Sequence, residues 1–267
     1  MNTVPTFRFS SVPSFHQLWD VCMESHLTTP ETVLVDLEAS FARHNIAYAS
    51  PILDTCCGSG SFDIALMRRG FTLTTSDGDA EMLKLFRRNL IENSIDHEPT
   101  LAKWNELPSV FGDRKFDALI CCGNSFIYAG GYWNHDGDIS RDEAFANILN
   151  TLKIFRSLLA PGGILLVDKP FDDERPTKEL IAHVCIANAE MYDVFFSVRF
   201  DAAGHRRTAQ ILLRNQITNE EIGVPNIAYH LKDAELTALL IEAGFTTIEH
   251  LPLAPGQHFP IWIAKTA

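Results

Sequence analysis

Two aspartates flank a glycine turn in the run ILDTCCGSGSFDIALMRRGFTLTTSD, Ile52 to Asp77. Apolar Ile52 and Leu53 lead into Asp54, Cys57-Gly58-Ser59-Gly60 reverses the backbone, and Ile64, Ala65, Leu66 and Met67 continue at helical spacing. The glycines permit a sharp turn whose bare backbone lets a ligand come close, and the next helix points free N–H groups at that spot. A dinucleotide fingerprint needs a third glycine where Asp63 stands, and no Gly-Lys-Ser/Thr follows to cradle a triphosphate. Asp54 before the turn and Asp77 at the end of the next strand instead suit a ligand with a cationic end and a ribose diol, since a carboxylate accepts hydrogen bonds from both.

S-adenosylmethionine carries both features. The stretch resembles motifs I and II of the class I S-adenosylmethionine-dependent methyltransferases. Phe116-Asp117-Ala118-Leu119-Ile120-Cys121-Cys122-Gly123-Asn124-Ser125-Phe126 is similar to the glycine N-methyltransferase and glycine/sarcosine methyltransferase group, whose fourth strand also ends in Gly-Asn-Ser-Phe. With Pro161-Gly162-Gly163 in order, the likeness covers roughly residues 50–170. It implies an α/β fold: a doubly wound, seven-stranded, mostly parallel sheet of Rossmann-like methyltransferase type, with an N-terminal helical lid and a small β-rich appendage. The expected segments are 1–48 for the lid, 49–172 for the cofactor-binding core, 173–230 for the substrate-side β appendage, and 231–267 for the C-terminal helix and last two strands.

The resemblance also implies S-adenosylmethionine as cofactor and S-adenosylhomocysteine as product. Asp54, Cys56, Cys57, Gly58, Gly60, Asp77, Gly78, Trp104, Asn105 and Cys122 are the expected cofactor residues. Trp104 holds the position of an adenine-covering aromatic, whereas Lys103 replaces the usual acid with a donor that cannot accept from an adenine amino group. Ligands bind outside the carboxyl ends of the strands of such a sheet, which places Asn124 near the transferable methyl. The loop-like run Tyr128 to Asp142 adds Tyr128, Tyr132, Trp133 and His135, and the N-terminal segment adds Trp19, as substrate walls. Asn124, Tyr128 and His135 are the catalytic candidates. Where glycine methyltransferase grips the substrate carboxylate with an arginine, this chain has Pro170, preceded by Lys169. Glycine itself is therefore disfavoured, and Lys169 is the alternative carboxylate partner, against a reading as a solvated lysine at the sheet edge.

The whole composition agrees with a small-molecule enzyme. The 267 residues are 46% hydrophobic and 21% charged, with a net charge of −12 and a pI near 5.2. Neutralising phosphates needs a basic surface, so a nucleic-acid partner is excluded. No stretch approaches a membrane span, no signal peptide opens the chain, and a cytoplasmic location is expected, with homo-oligomerisation left open. Adjacent Cys56-Cys57 and Cys121-Cys122 lack the intervening residues of a zinc site, and no metal is expected.

Displacement of a methyl group from a sulfonium needs alignment more than acid–base machinery. The reaction expected is N-methylation of an amino-acid-like or heterocyclic metabolite. O- or C-methylation of a natural-product intermediate, where an oxygen nucleophile would want a base such as His135 or His230, and a non-catalytic S-adenosylmethionine-binding module are the alternatives.

Overall fold

The computed structural model describes residues 4–23, 25, 30–131, 140–187, 190–251 and 259–267. The strands that build the centre are β2 (Ile52–Asp54), β3 (Leu73–Asp77), β5 (Phe116–Cys121) and β6 (Leu159–Asp168), with the short β4 (Thr100–Leu101) at one edge. β5 and the second half of β6 are near-continuous apolar runs, as burial on both faces requires, whereas β3 is Leu73 followed by small polar residues and Asp77. At the other edge lie β11 (Thr247–His250) and β12 (Ile261–Lys265). The sheet order is β11-β12-β6-β5-β2-β3-β4, parallel except at β12, which runs antiparallel to both neighbours. The seven-stranded, doubly wound α/β sheet expected from the sequence is thus present, and its order reverses between β2 and β5, the place where ligands bind in open sheets.

Alternate residues of these strands feed two cores. Leu53, Leu119 and Leu165 face α6 (Arg141–Leu158) and α7 (Asp233–Glu242), while Ile52, Ile120 and Leu166 face α2 (Pro30–Arg43) and α3 (Ser61–Arg68) through Leu34, Leu37, Phe41 and Leu66. The cap of α4 (Ala80–Glu92) is Asp79, whose carboxylate accepts from Glu81 and Met82 N–H. Leu159 pairs with Phe116 and Ile164 with Ala118, so Ala160 to Gly163 bulge out of β6, which is how the Pro-Gly-Gly turn is absorbed into a longer strand.

A second sheet, ordered β1-β7-β8-β9-β10, stands over the carboxyl ends of the first. Its hairpin, β8 (Met191–Phe200) and β9 (Arg206–Asn215), lies within the segment 173–230 expected to be β-rich. Three strands were not anticipated: β1 (Thr6–Phe9), β7 (Thr177–Ile186) and β10 (Glu221–Tyr229). The first has four residues, and the other two leave most of their opening halves exposed, which erases the alternation that signals a strand. The N-terminal segment is divided between the two sheets: β1 joins the second, and α1 (Phe15–Cys22) buries Leu18, Val21 and Cys22 against it, whereas α2 packs on the first. Among the described residues no helix is long and apolar enough to cross a membrane.

Candidate active site

The turn after β2 is held by its own backbone. Gly60 N–H donates to Cys57 O at 2.8 Å, Cys57 N–H to Ser76 O at 3.1 Å, and Thr55 N–H to Ile120 O at 3.0 Å. Gly58 and Gly60 have φ of 54° and 81°, and a Cβ on Gly60 would run into the ring of Phe86. Asp54 is buried behind the turn, its Oδ1 accepting from Cys56 N–H at 2.8 Å. Burial pushes its carboxyl up to about 7 against the pull of that N–H, and the charge of Asp77 adds to the rise. Asp77 Oδ2 accepts from Gly58 N–H and Oδ1 from Asp79 N–H, both at 2.8 Å, and burial raises this carboxyl too. Asp79 in turn meets His16 Nε2 at 3.0 Å.

In front of the turn lies a cavity of about 760 Å³, inside the range of small-molecule sites. Its floor is Thr55 to Ser59 with Phe62; Asp77, Gly78, Asp79 and Met82 form one side, with Lys103, Trp104 and Asn105 at the end. Cys122, Gly123, Ser125 and Tyr128 form the other side, and Trp19, Asp20 and Met23 of α1 and the residues after it cover it. Trp104 is fixed by its indole N–H, which donates to Thr55 O at 2.9 Å, and by an edge-on contact with Phe155. Cys56 Sγ sits 3.7 Å from Cys121 Sγ; all six cysteines are free thiols.

Of the expected cofactor residues, Cys56, Cys57, Gly58, Asp77, Gly78, Trp104, Asn105 and Cys122 line this cavity, as do Trp19 and Tyr128 from the substrate set. Asp54 and Gly60 stand behind the wall as supports. Asn124 does not reach the wall. Its φ is 62°, its side chain is fully buried, and its N–H and that of Gly123 donate to the two oxygens of Asp168 at 2.8 Å each, so the backbone of the turn, with Gly123 and Ser125, is presented instead. Lys169 must be corrected: it is neither solvated nor at the cavity. It is fully buried, its Nζ 2.9 Å from Asp172 Oδ1 and paired also with Asp233. His230 is likewise buried off the wall, 3.1 Å from Phe171 O. Tyr132, Trp133 and His135 lie outside the described residues.

The sequence reading missed Asn147, Asn150 and Thr151 of α6, which also line the cavity. Their signal was present: spacings of three and four put three uncharged polar side chains on one helix face.

The geometry has counterparts. Residues 52–163 match the model of a methyltransferase domain family. Glycine N-methyltransferase of Oryctolagus cuniculus is 31% identical over 128 residues, 44% of this chain and 39% of that protein. Glycine/sarcosine N-methyltransferase of Halorhodospira halochloris is 31% identical over 121 residues, 45% of this chain and 40% of the other. The chain thus spans about two fifths of the length of these curated relatives. Among solved structures, the S-adenosylmethionine-bound amino pentose methyltransferase of Micromonospora echinaspora superposes with a TM-score of 0.68 at 14% identity, over 96% of this chain and 100% of that one.

Proposed function

We propose, from its place among the class I S-adenosylmethionine-dependent methyltransferases, that this protein methylates an amine of a small molecule. The observation that carries the reading is the cavity at the sheet's switch point, floored by the Gly58 turn and edged by Asp77. The residues fit the cofactor. The buried carboxyls of Asp54 and Asp77 offer negative charge to an aminocarboxypropyl ammonium and a ribose diol, and Trp104 and Asn105 border the space left for adenine. When bound, the cofactor supplies a methyl group on a sulfonium, open to in-line displacement.

What the chain contributes is alignment and exclusion of water. Trp19 and Met23 cover the cavity from the α1 side, and Tyr128 borders it near the end of β5. Burial drives the Tyr128 phenol further above its ordinary range, so it stays protonated. Among the described residues no histidine lines the cavity, and an amine needs no base once its own proton is gone.

Within this reading, the described residues offer an anionic group of the substrate no cation away from the Trp104 end of the cavity. Lys169 is committed to Asp172 and Asp233, and Arg207 is buried in a bidentate pair with Glu174 at 2.6 and 2.7 Å. Among the described residues Lys103 is the lone lysine or arginine on the cavity wall, at the Trp104 end, and segments 132–139 and 252–258 contain neither. An amine without a carboxylate, such as an amino sugar or a heterocyclic amine, therefore fits better than an amino acid. Incubation with methyl-labelled S-adenosylmethionine and a panel of amino sugars, heterocyclic amines, glycine and sarcosine tests this. Label on an amine without a carboxylate supports the proposal, label on glycine alone refutes the substrate class, and no transfer to the panel or to any fraction of a cell extract added in its place supports the silent module.

A further inference from the structure

Asp63, the residue that replaces the third glycine of the turn, has no task in the reading above. It is the third residue of α3 and 1% exposed, and its carboxyl lies against that of Asp54 behind the glycine turn, within hydrogen-bond reach. Among the described residues no donor side chain meets either of its oxygens. Ionised carboxylates only accept hydrogen bonds, so a bond between these two exists when one of them holds a proton. The other end of Asp54 is already fixed by Cys56 N–H.

We infer that Asp63 is a positioning residue: it shares one proton with Asp54, holding that carboxyl under the Gly58 turn, and the pair gives up this proton when the cationic end of a ligand settles on the turn.

The surroundings favour this. The titratable groups acting on the pair are Asp77 at the end of β3 and the thiols of Cys56 and Cys57 in the turn. From α4 the neighbouring groups are Leu83, Phe86 and Leu90, with the uncharged Asn89 amide donating to Ser59 O at 3.0 Å. No cation is among them. Two carboxyls in contact do not both ionise without a counter-charge, so their titration belongs to the pair. Burial pushes both upward, Asp54 to about 7 and Asp63 well above the ordinary carboxylate range; the charge of Asp77 adds to the rise of Asp54 and that of Asp54 to the rise of Asp63, while the bond from Asp63 draws Asp54 back. An ammonium placed close to the pair supplies the missing charge and favours the doubly ionised form. The balance is one cation bound and one proton released to solvent. By linkage, affinity for that cation rises with pH through the titration of the pair.

The inference rests on the cofactor reading, and its test separates the two. S-adenosylhomocysteine binding to the full chain is measured by calorimetry at pH 7 in phosphate and in Tris, whose ionisation heats differ. The wild-type heat is expected to depend on the buffer, reporting release of a sizeable fraction of one proton, and wild-type affinity to rise several-fold from pH 6 to pH 8. Asp63→Asn keeps a donor toward Asp54 without a titrating proton, so it is expected to bind with a buffer-independent heat and a flat pH profile; Asp54→Asn serves as the second variant, with the same loss of release expected. A buffer-independent heat in the wild type, or undiminished release from either variant, overturns the inference. Failure of the wild type to bind S-adenosylhomocysteine at all overturns the cofactor reading instead.

Discussion

Gly58 N–H donates to Asp77 Oδ2 across 2.8 Å, so the turn that ends β2 is shaped by the carboxylate that ends β3. With Asp79 N–H on Oδ1, Asp77 serves as both a brace for the turn and a wall of the cavity. Asp77→Ala is expected to weaken S-adenosylhomocysteine binding by tenfold or more, since hydrogen bonds to a charged group are worth about 1.5–3 kcal/mol each. Asp77→Asn, which keeps one acceptor oxygen, should fall between. Calorimetry reads the loss while far-ultraviolet circular dichroism reports an intact fold; unchanged affinity would remove Asp77 from the site.

Gly60 is required for a different reason. At φ 81° any side chain is strained, and a Cβ there collides with Phe86, which is fully buried on α4. Gly60→Ala should cost about 2–4 kcal/mol in urea unfolding, from overpacking and the left-handed backbone together. Trimming the obstacle separates the two contributions: in Gly60→Ala/Phe86→Leu part of the loss should return relative to Phe86→Leu alone. No difference between the two backgrounds would mean that the backbone, and not the ring, sets the cost.

The sequence made the cavity's floor legible because that floor is local: Asp54, Gly58 and Asp77 belong to one strand–turn–helix–strand unit whose chemistry is written in consecutive residues. The cover was less legible. Trp19 reaches the cavity because α1 packs its Leu18, Val21 and Cys22 on a second sheet drawn from Thr6–Phe9 and residues 177–229, a pairing over a large sequence distance that no local pattern announces. Lys169 misled for a related reason. Its partners Asp172 and Asp233 come from a loop and from the start of α7, and only their meeting turns a charged residue at a strand end into a buried one. Asn124 was read as projecting toward the methyl; its left-handed φ, held by Asp168, turns the side chain into the core instead.

Breaking the Lys169 cluster tests that correction. Lys169 is fully buried, so Lys169→Ala leaves a cavity and strands the two carboxylates that faced it, though both remain partly in solvent. A loss of about 3 kcal/mol is expected in denaturant unfolding. Cofactor affinity should be unaffected within twofold, because the ammonium lies off the cavity wall. A large drop in affinity with stability preserved would return Lys169 to the substrate or cofactor site.

Asp168 links the Gly123-Asn124 turn to pH. Burial pushes its carboxyl up to about 7, although two backbone N–H groups favour the charged form. In the unfolded chain an aspartate titrates near ~3.9, so between roughly 4 and 7 the folded protein holds more protons than the unfolded one. This group's contribution is therefore complete below about 4 and is lost as the pH climbs to about 7. Asp168→Asn removes the titration and keeps one acceptor oxygen, so it should be less stable than wild type at pH 5, with the gap narrowing at pH 8. Other titrating groups, Asp54 among them, are common to both proteins and cancel in the comparison. At about 1.4 kcal/mol per pH unit the narrowing should be on the order of 1–3 kcal/mol, read from urea unfolding of the two proteins at both pH values. A gap that stays constant, or widens at pH 8, would mean that Asp168 is ionised throughout and that its two N–H bonds outweigh burial.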